Sequence, residues 1–489
     1  MPENAPPVQF TSVARGYPKA IIPTLLGVLL ILQLTNGHWL LAALSVLPAV
    51  LLVASGIGLL LWPGDVRLPQ YLTLGAGLAV LPGVAALVLQ LPVLGAVLIL
   101  AAALSWWVAG TISLASFPRV SGAPAPRHDW ASAARIGTDQ ALLAWFKTII
   151  RPPQNSARVQ VLDELQQWRD CWMADNPPAL LDCHPTPPAL PRVEGMERSL
   201  FGLRYKHIRW LSEFPLDEDW PGLQRWGQHM RNHRAHAWLL EHPGKPRPWL
   251  LTIHGYRMGT PGLDFRAFEP GLLHKRLGLN IASVVLPLHG PRKTGRVSGG
   301  HYLDGDFSTF VHAERQAQWD IRRLLSWLRL NRHAPAIGVY GLSLGGYNAA
   351  LLAGLDEDLA CVIAGIPVFD MAQTQWRHIP LALRRSLEAD GVSEDLLRMA
   401  YAPVSPGMFA AQLPPSRLGI FAGTMDSLVW PDQPLQLAQH WQVPTPYWFP
   451  GAHLTFAGTS AQRQCLINTL AAGGLIDAQR QPIRSADLP

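Results

Sequence analysis

The sequence predicts an α/β domain, with a mostly parallel sheet covered by helices, preceded by an all-α transmembrane region. Three observations lead to this fold class. Two long runs without charged residues lie in the first quarter of the 489-residue chain. From about residue 200, short apolar segments alternate with helical segments, which is typical of a parallel sheet flanked by helices. Within that alternation, an apolar strand at 336–340 leads into Gly-Leu-Ser-Leu-Gly at 341–345 and then into a helix.

The two uncharged runs predict membrane-spanning helices. Residues 20–64 and 68–118 contain no Asp, Glu, Lys or Arg. A helix needs about 20 residues to cross a bilayer, so each run is long enough to fold back on itself as a helical hairpin. A three-span arrangement, with one run partly re-entrant, is the alternative. The four predicted spans lie near residues 20–35, 39–62, 70–90 and 93–116.

Flanking charges indicate the orientation of these spans. The two hairpin turns carry no Lys or Arg, whereas the other flanks carry Arg15, Lys19, Arg67, Arg119, Arg127 and Arg135. By the positive-inside rule, the N-terminus, the middle loop and everything after residue 118 are cytoplasmic. A secretory signal peptide is rejected because no small-residue cleavage site follows the first span and a second span comes at once. We therefore expect a multi-pass integral membrane protein.

The net charge and the cysteines indicate which binding partners and which cellular compartment to expect. The net charge of +6 is spread along the chain without a Lys/Arg-rich tract, which favours an anionic membrane surface and predicts no nucleic-acid partner. The four cysteines show no metal-ligand spacing, so we predict no metal site. We expect free thiols in a reducing compartment, with a disulfide between Cys171 and Cys183 as the alternative.

Composition divides the chain into three parts. Residues 1–118 are the predicted transmembrane region, residues 119–198 a helical and Pro-rich connector, and residues 199–480 the α/β domain. The connector is predicted to hold helices at 140–150 and 156–173 and to pack on the next domain. In the α/β domain, strands are predicted at 204–213, 235–241, 249–253, 281–286, 336–340, 359–366, 418–422 and 446–449. Helices are predicted at 308–330, 347–353 and 460–472.

The serine of the glycine-flanked turn has candidate chemical partners further along the chain. A Ser hydroxyl needs an adjacent base to become a nucleophile, and the base needs a carboxylate to orient it. Asp426 follows the strand at 418–422, and His453 follows the strand at 446–449. The carboxyl ends of neighbouring parallel strands meet at one edge of a sheet, so both side chains can reach Ser343. Asp370, which also ends a strand, is the rival acid.

Two backbone amides are candidates for holding a developing oxyanion. One is the N–H of Leu344, the residue after the serine, at the N-terminus of a helix. The other is the N–H of Tyr256, in the loop after the strand at 249–253, where Gly255 lets the backbone approach a substrate. Two other roles for the Tyr256 phenol stay open: it donates the hydrogen bond itself, or it only packs. His254 is interpreted as a residue that holds this loop.

These motifs together resemble the α/β-hydrolase superfamily, over about residues 200–480. The resemblance rests on His254-Gly255, on the pentapeptide around Ser343, and on Asp426 and His453 in the chain order of that superfamily. It implies an α/β-hydrolase fold and a serine hydrolase that works through an acyl-enzyme and needs no cofactor. The segment at 287–293 is similar to one in α/β-hydrolase-domain proteins of unassigned chemistry.

Two segments are candidates for substrate recognition. Arg292 and Lys293 belong to a basic loop that is interpreted either as an anion-binding site or as a solvated surface. Residues 371–415 lie between two core strands, where this fold inserts a cap, and their apolar side chains include Trp376. Three interpretations of these side chains stay open: they line an acyl pocket, they touch the bilayer, or they only pack on the sheet.

The combined prediction is a membrane-anchored serine hydrolase that cleaves a carboxylic ester or related acyl bond. A Ser343–His453–Asp426 triad would form the acyl-enzyme. The expected substrate is a small-molecule or lipid ester, and a lipid is suggested by the membrane spans. A serine peptidase, an acyltransferase and a non-catalytic membrane scaffold are the alternatives.

Overall fold

The computed structural model describes residues 8–9, 17–35, 37–62, 65 and 67–477. Arg15, Asn36 in the first predicted hairpin turn, and residues 478–480 of the predicted α/β domain lie outside the described residues. All four cysteines are free thiols, as the sequence predicts. Within the described residues, no group of three or more His, Cys, Asp or Glu side chains has an arrangement suited to a metal ion.

The N-terminal helices form one bundle. Four helical segments, counted over the described residues, are long and apolar enough to cross a membrane, as predicted: Pro18–Thr35, Trp39–Leu61, Arg67–Val88 and Pro92–Ala115. The individual helices are α1 (Ile21–Leu32), α2 (Trp39–Leu61), α3 (Arg67–Leu78), α4 (Val80–Val88) and α5 (Pro92–Ala115). The third segment is thus divided into α3 and α4.

The outer surface of this bundle is apolar. Large aliphatic side chains that are between 57% and 77% exposed include Leu25, Leu47, Val88, Val93 and Leu100. Contiguous apolar surface of this kind is rare on soluble proteins, so the outside of the bundle is apolar enough to suit a lipid environment.

The connector contains two long helices, the first of which packs on the bundle and the second on helices of the α/β domain. A short strand β1 (Val8–Gln9) pairs with β2 (Arg119–Val120), and α6 (Trp130–Ile149) and α7 (Asn155–Met173) follow. Helix α6 begins ten residues before its prediction because the Asp129 side chain caps it, accepting a hydrogen bond from the Ser132 amide. A Cβ on Gly110 of α5 would lie 1.9 Å from the Ala133 carbonyl oxygen of α6, so these two helices touch along their backbones.

The α/β domain contains a nine-stranded sheet in the described residues. The strands are β3 (Glu194–Leu200), β4 (Leu203–Leu211), β5 (Arg234–Leu240), β6 (Trp249–Ile253), β7 (Asn280–Val285), β8 (Ile337–Leu342), β9 (Cys361–Gly365), β10 (Leu418–Gly423) and β11 (Tyr447–Phe449). Their order in the sheet is β3-β4-β5-β7-β6-β8-β9-β10-β11, with parallel pairing from β7 to β11 and antiparallel pairing among β3, β4, β5 and β7. The sequence predicted each except β3, an edge strand whose largely exposed, polar side chains leave no apolar pattern.

Helices cover both faces of this sheet, which confirms the predicted α/β-hydrolase fold. The helices of this domain are α8 (Leu223–Gly227), α9 (Pro261–Phe268), α10 (Phe307–Asn331), α11 (Leu344–Ala353), α12 (Met371–His378), α13 (Leu381–Ala389), α14 (Glu394–Ala400), α15 (Asp432–His440) and α16 (Ser460–Ala472). One face of the sheet packs on α10 and α11, and the other packs on α9 and α16. Helices α12 to α14 occupy the segment predicted as a cap.

Candidate active site

Ser343 lies on a strained turn between β8 and α11. Its backbone has φ 56° and ψ −114°, a conformation that side-chain-bearing residues rarely adopt. The flanking glycines are required by close backbone approach. A Cβ on Gly341 would lie 1.9 Å from the Gly345 carbonyl oxygen, and one on Gly345 would lie 1.8 Å from that of Ile253. The turn therefore presents the Ser343 hydroxyl at the carboxyl edge of the sheet, at the N-terminus of α11.

The structure brings Ser343, His453 and Asp426 into one chain of hydrogen bonds. The His453 Nδ1–H group donates to Asp426 Oδ2 over 2.7 Å. This tautomer leaves His453 Nε2 free to accept the hydrogen bond from Ser343 Oγ, over 3.0 Å. The other Asp426 oxygen accepts the backbone amides of Leu428 and Val429, so the carboxylate is held in a single orientation.

Asp370, the rival acid, has a different role. It caps α12 by accepting the Gln373 amide, and it pairs with Arg398 at 2.8 Å. No hydrogen bond joins Asp370 to His453 among the described residues. The geometry therefore selects Asp426 as the carboxylate beside the histidine.

The electrostatic surroundings of His453 favour its protonated form. Burial alone would lower the pKa of this imidazole, but the carboxylates of Asp426 and Asp139 outweigh burial and raise the pKa above its usual value. A histidine in this setting is a stronger base toward a serine proton than one in water, which is the property that general base catalysis requires.

The two predicted oxyanion donors have no backbone acceptor in the described residues. Neither the Leu344 nor the Tyr256 amide makes a backbone hydrogen bond among the described residues, so both N–H groups are free for a ligand. A Cβ on Gly255 would lie 3.5 Å from Ser343 Cβ, which places the loop before Tyr256 against the serine. His254 holds this loop: its Nδ1 bonds the Gly255 carbonyl and its Nε2 accepts the Leu286 amide.

Ser343 and His453 line a large cavity whose walls are mainly apolar. Its volume is about 770 Å³, within the range of small-molecule pockets. The apolar wall residues of the connector include Leu142, Leu143, Phe146, Ile150, Val161 and Leu162. Those of the cap segment include Met371, Ile379, Leu383 and Leu387. The cavity thus lies between the connector, the cap and the edge of the sheet.

Three predicted recognition residues are not part of this cavity, and the prediction for them is corrected. Arg292 is 0% exposed because it forms a buried ion pair with Asp320 at 2.8 Å and donates to backbone carbonyls. Lys293 donates to the Arg296 carbonyl and is absent from the cavity wall. Trp376 is 5% exposed and packs in the core of the sheet rather than against the cavity.

Two residues of the connector escaped the sequence analysis, because the connector offered no motif. Lys147 lines the cavity and donates to the Gln70 side chain of α3, and burial lowers its pKa to about 8. Its signal in the sequence is a single charge within the apolar stretch 141–150. Asp139 lies behind the triad, accepting the backbone amides of His453 and Ser427.

Comparison with known proteins finds relatives over most of the chain. Two uncharacterized proteins of Mycobacterium tuberculosis, MT2702 of strain CDC 1551 / Oshkosh and Rv2627c of strain H37Rv, are each 37% identical over 377 residues. The matched region covers 74% of this chain and 88% of each relative. A profile of the prolyl oligopeptidase family matches residues 332–445, a segment that contains Ser343 and Asp426.

Solved structures with a similar arrangement are esterases and peptidases. An acetyl xylan esterase from Paenibacillus sp. R4 is 15% identical, with a TM-score of 0.44, and the match covers 65% of this chain and 99% of that one. The Pyrococcus horikoshii acylaminoacyl peptidase is 16% identical, with a TM-score of 0.36, over 49% of this chain and 39% of that one.

Proposed function

This chain belongs to the family of the Mycobacterium tuberculosis protein Rv2627c, and from its site geometry we propose that it is a membrane-anchored serine hydrolase of acyl esters. The observation that carries the proposal is the hydrogen-bonded chain from Asp426 through His453 to Ser343, which opens into an apolar cavity. A nucleophile, its base and the orienting carboxylate in this arrangement are the parts that acyl transfer needs.

The proposed acylation step uses these three side chains. Ser343 Oγ attacks the ester carbonyl while His453 Nε2 takes its proton, and Asp426 stabilises the imidazolium that forms. The carbonyl oxygen becomes an oxyanion, which the Leu344 and Tyr256 amides hold together with the N-terminus of α11. As the tetrahedral species collapses, the bond to the alcohol oxygen breaks and His453 gives its proton to that leaving group.

Deacylation repeats the sequence with water. His453 removes a proton from a water molecule whose oxygen attacks the acyl carbon of the Ser343 ester. The second tetrahedral species uses the same two amides, and His453 then returns the proton to Ser343 Oγ as the acid leaves. No cofactor enters either step of this proposal.

The cavity favours a substrate with a long acyl chain. Aliphatic and aromatic side chains form most of its wall, and they offer few hydrogen-bonding groups for a polar substrate. Three lining residues are also substantially exposed: Trp145, Leu263 and Leu454 are 42%, 50% and 53% exposed. Apolar side chains at the rim of an apolar cavity suit a lipid that leaves a bilayer or micelle, so we propose a lipid ester as the substrate.

The proposed membrane spans support a lipid substrate, because they would hold the cavity close to the bilayer. Lys147 on the cavity wall donates to Gln70, which lies in the first turn of α3, at the end of a proposed span. The charge bias of the flanks puts this end of the bundle on the cytoplasmic side. A fluorescent protein that folds only in the cytoplasm, fused to the C-terminus, is expected to fluoresce; a dark but expressed fusion would contradict this orientation.

An active-site label tests the hydrolase proposal. The purified full-length protein in detergent is expected to react with a fluorophosphonate, and Ser343→Ala is expected to abolish the reaction. A Ser199→Ala variant is a matched control, because Ser199 is an exposed serine on the edge strand β3. Folded wild-type protein that takes no label would refute the proposal.

A panel of esters tests the substrate class. Esters of p-nitrophenol with acyl chains of two to sixteen carbons are offered in mixed micelles, followed by diacyl lipids in vesicles. We expect kcat/KM to rise with chain length as the chain fills the cavity, since each buried methylene contributes about 0.8 kcal/mol. Exclusive cleavage of short soluble esters would refute the lipid substrate.

A serine peptidase is the second candidate. The match of residues 332–445 to the prolyl oligopeptidase family favours it, and the same three side chains serve peptide cleavage. Short blocked peptide amides, added to the ester panel, separate the two activities. Amide cleavage at rates equal to or above those of the esters would favour the peptidase.

A further inference from the structure

A carboxylate from outside the α/β domain lies directly behind the triad. Asp139 belongs to the connector helix α6 and is 0% exposed. Its Oδ2 atom accepts the His453 amide over 2.9 Å and the Ser427 amide over 3.0 Å. One oxygen of Asp139 therefore joins the loop that carries the base to the loop that carries the acid.

The neighbouring residues strengthen this connection. Gln140, next on α6, donates its side-chain amide to Ser427 Oγ over 3.0 Å. Arg135, one turn earlier, donates to the Pro450 carbonyl over 2.8 Å, on the loop that leads to His453. On the cavity side, the Phe146 ring packs edge-on against Tyr256, with ring centres 5.5 Å apart. Helix α6 thus touches both triad loops and the oxyanion loop.

The same helix is attached to the membrane bundle. An apolar cluster joins the C-terminal end of α5, helix α6 and the two triad loops: its members are Leu114, Phe117, Ala133, Ile136, Met425 and Ala452. The Trp106 indole of α5 also donates to the Ala134 carbonyl over 3.0 Å. The two triad loops therefore rest on a surface made by the connector and the end of a proposed membrane span.

We propose that Asp139 is a positioning residue for the triad, through which the N-terminal region completes the active site. The inference rests on the proposed function, because it assigns a role in that reaction. Asp139 touches no reacting atom and acts through the backbone of His453 and Ser427.

The physical reason is the cost of two buried amides without an acceptor. Each unpaired buried N–H costs about 1–3 kcal/mol, so the two loops would shift to find other acceptors if the carboxylate were removed. A displacement of about 1 Å at reacting atoms is enough to lower a rate roughly a hundredfold. The His453–Ser343 hydrogen bond, which depends on the position of the His453 backbone, would be the first contact to lengthen.

The charge of Asp139 has a second consequence. The titratable groups that face it are Asp426 and His453, and the adjacent stretch of α5, residues 106–115, carries none. Burial, followed by repulsion from Asp426, raises the pKa of Asp139 above its usual value. When ionised, Asp139 adds a second negative charge near the imidazolium of His453 and so holds the His453 pKa up.

The test compares variants of the full chain in one detergent. Asp139→Ala removes the acceptor of both amides, whereas Asp139→Asn keeps a side-chain oxygen in the place of Oδ2 and removes only the charge. Asp129→Asn is the matched control: it changes a carboxylate on the same helix, at an N-cap where Asn serves as well. Each variant is assayed at a temperature at which its melting curve shows it folded, using the fluorophosphonate rate and the ester pH profile.

The expected results separate positioning from general stability. Asp139→Ala is expected to lower kcat about tenfold to a hundredfold with KM within about threefold of wild type. The acidic limb of the kcat/KM profile is expected to move to lower pH in both Asp139 variants, because His453 loses a nearby negative charge. Asp139→Asn is expected to keep kcat within about threefold of wild type, because its amide oxygen still accepts both N–H groups, and Asp129→Asn is expected to show neither effect.

Two results would overturn this proposal. Folded Asp139→Ala that keeps wild-type kcat and the wild-type acidic limb would overturn the positioning role. In that case, labelling of the wild type but not of Ser343→Ala would still support the proposed function. A folded wild type that is never labelled would overturn the proposed function, and this inference with it.

Discussion

The identity of the triad acid is open to a direct comparison of Asp426→Asn with Asp370→Asn. Both substitutions replace a carboxylate by an amide of the same size at the carboxyl end of a strand. Only Asp426 contacts the base, accepting the His453 Nδ1–H group over 2.7 Å. An amide there can turn its NH₂ group toward His453, which would force the proton onto Nε2 and leave no lone pair for Ser343.

The structure predicts a large loss of kcat for Asp426→Asn and only a small loss of stability for Asp370→Asn. Loss of the orienting carboxylate in a Ser–His–Asp triad lowers kcat by about ten-thousandfold, which corresponds to about 5.5 kcal/mol of transition-state stabilisation. In Asp370→Asn, the new side chain still caps α12, since Asn and Asp are equally good N-caps. The Asp370→Asn substitution removes only the partly exposed ion pair with Arg398, which contributes about 1 kcal/mol or less to stability.

The assay measures turnover of a p-nitrophenyl ester that the wild type cleaves, in detergent, beside a melting curve for each variant. We expect Asp426→Asn to lose about a thousandfold to ten-thousandfold in kcat, and Asp370→Asn to stay within about threefold of wild type. A larger loss in folded Asp370→Asn than in folded Asp426→Asn would refute the assignment of the acid.

Three further predictions concern backbone approach and a buried carboxylate. Gly345→Ala is expected to destabilise the protein by about 3 kcal/mol or more and to abolish fluorophosphonate labelling, because the new Cβ would lie 1.8 Å from the Ile253 carbonyl oxygen. Gly110→Ala is expected to push α6 away from α5, since its Cβ would lie 1.9 Å from the Ala133 carbonyl oxygen, and so to lower both the melting temperature and the labelling rate. Burial raises the pKa of Asp264 from 3.8 to about 7, so the folded protein keeps a proton that the unfolded chain has lost between these pH values. Stability is therefore expected to fall by up to about 4 kcal/mol as pH rises from about 4 to 7, and melting temperatures should show a weaker fall in Asp264→Asn.

Matched controls make these outcomes decisive. A Cβ on Gly271 would meet no heavy atom within 4 Å, so Gly271→Ala controls for the loss of a glycine. Gly345→Ala or Gly110→Ala with the melting temperature and labelling of Gly271→Ala would contradict the steric argument. For Asp264, parallel pH dependence in wild type and variant would show that this carboxyl does not carry the proton.

The sequence by itself identified the candidate site where the signal was local. Ser343 stands in a glycine-flanked turn, and Asp426 and His453 each follow a buried strand. Strand ends of a parallel sheet meet at one edge, so the pattern of strands alone predicted that these residues would converge. The charge-free runs predicted the apolar helices equally directly, because the length needed to cross a bilayer is a property of a single segment.

Only the tertiary structure decided what surrounds that site. Asp139 and His453 are 314 positions apart, and no local pattern marks a connector helix that will dock behind a triad. The role predicted for Arg292 in the basic loop was wrong for a similar reason. An arginine side chain is expected to be exposed unless its partner is known, and Arg292 pairs with Asp320 in the core. Strand ends and apolar runs follow from residues near one another in the chain, whereas burial and pairing follow from segments that meet only when the chain has folded.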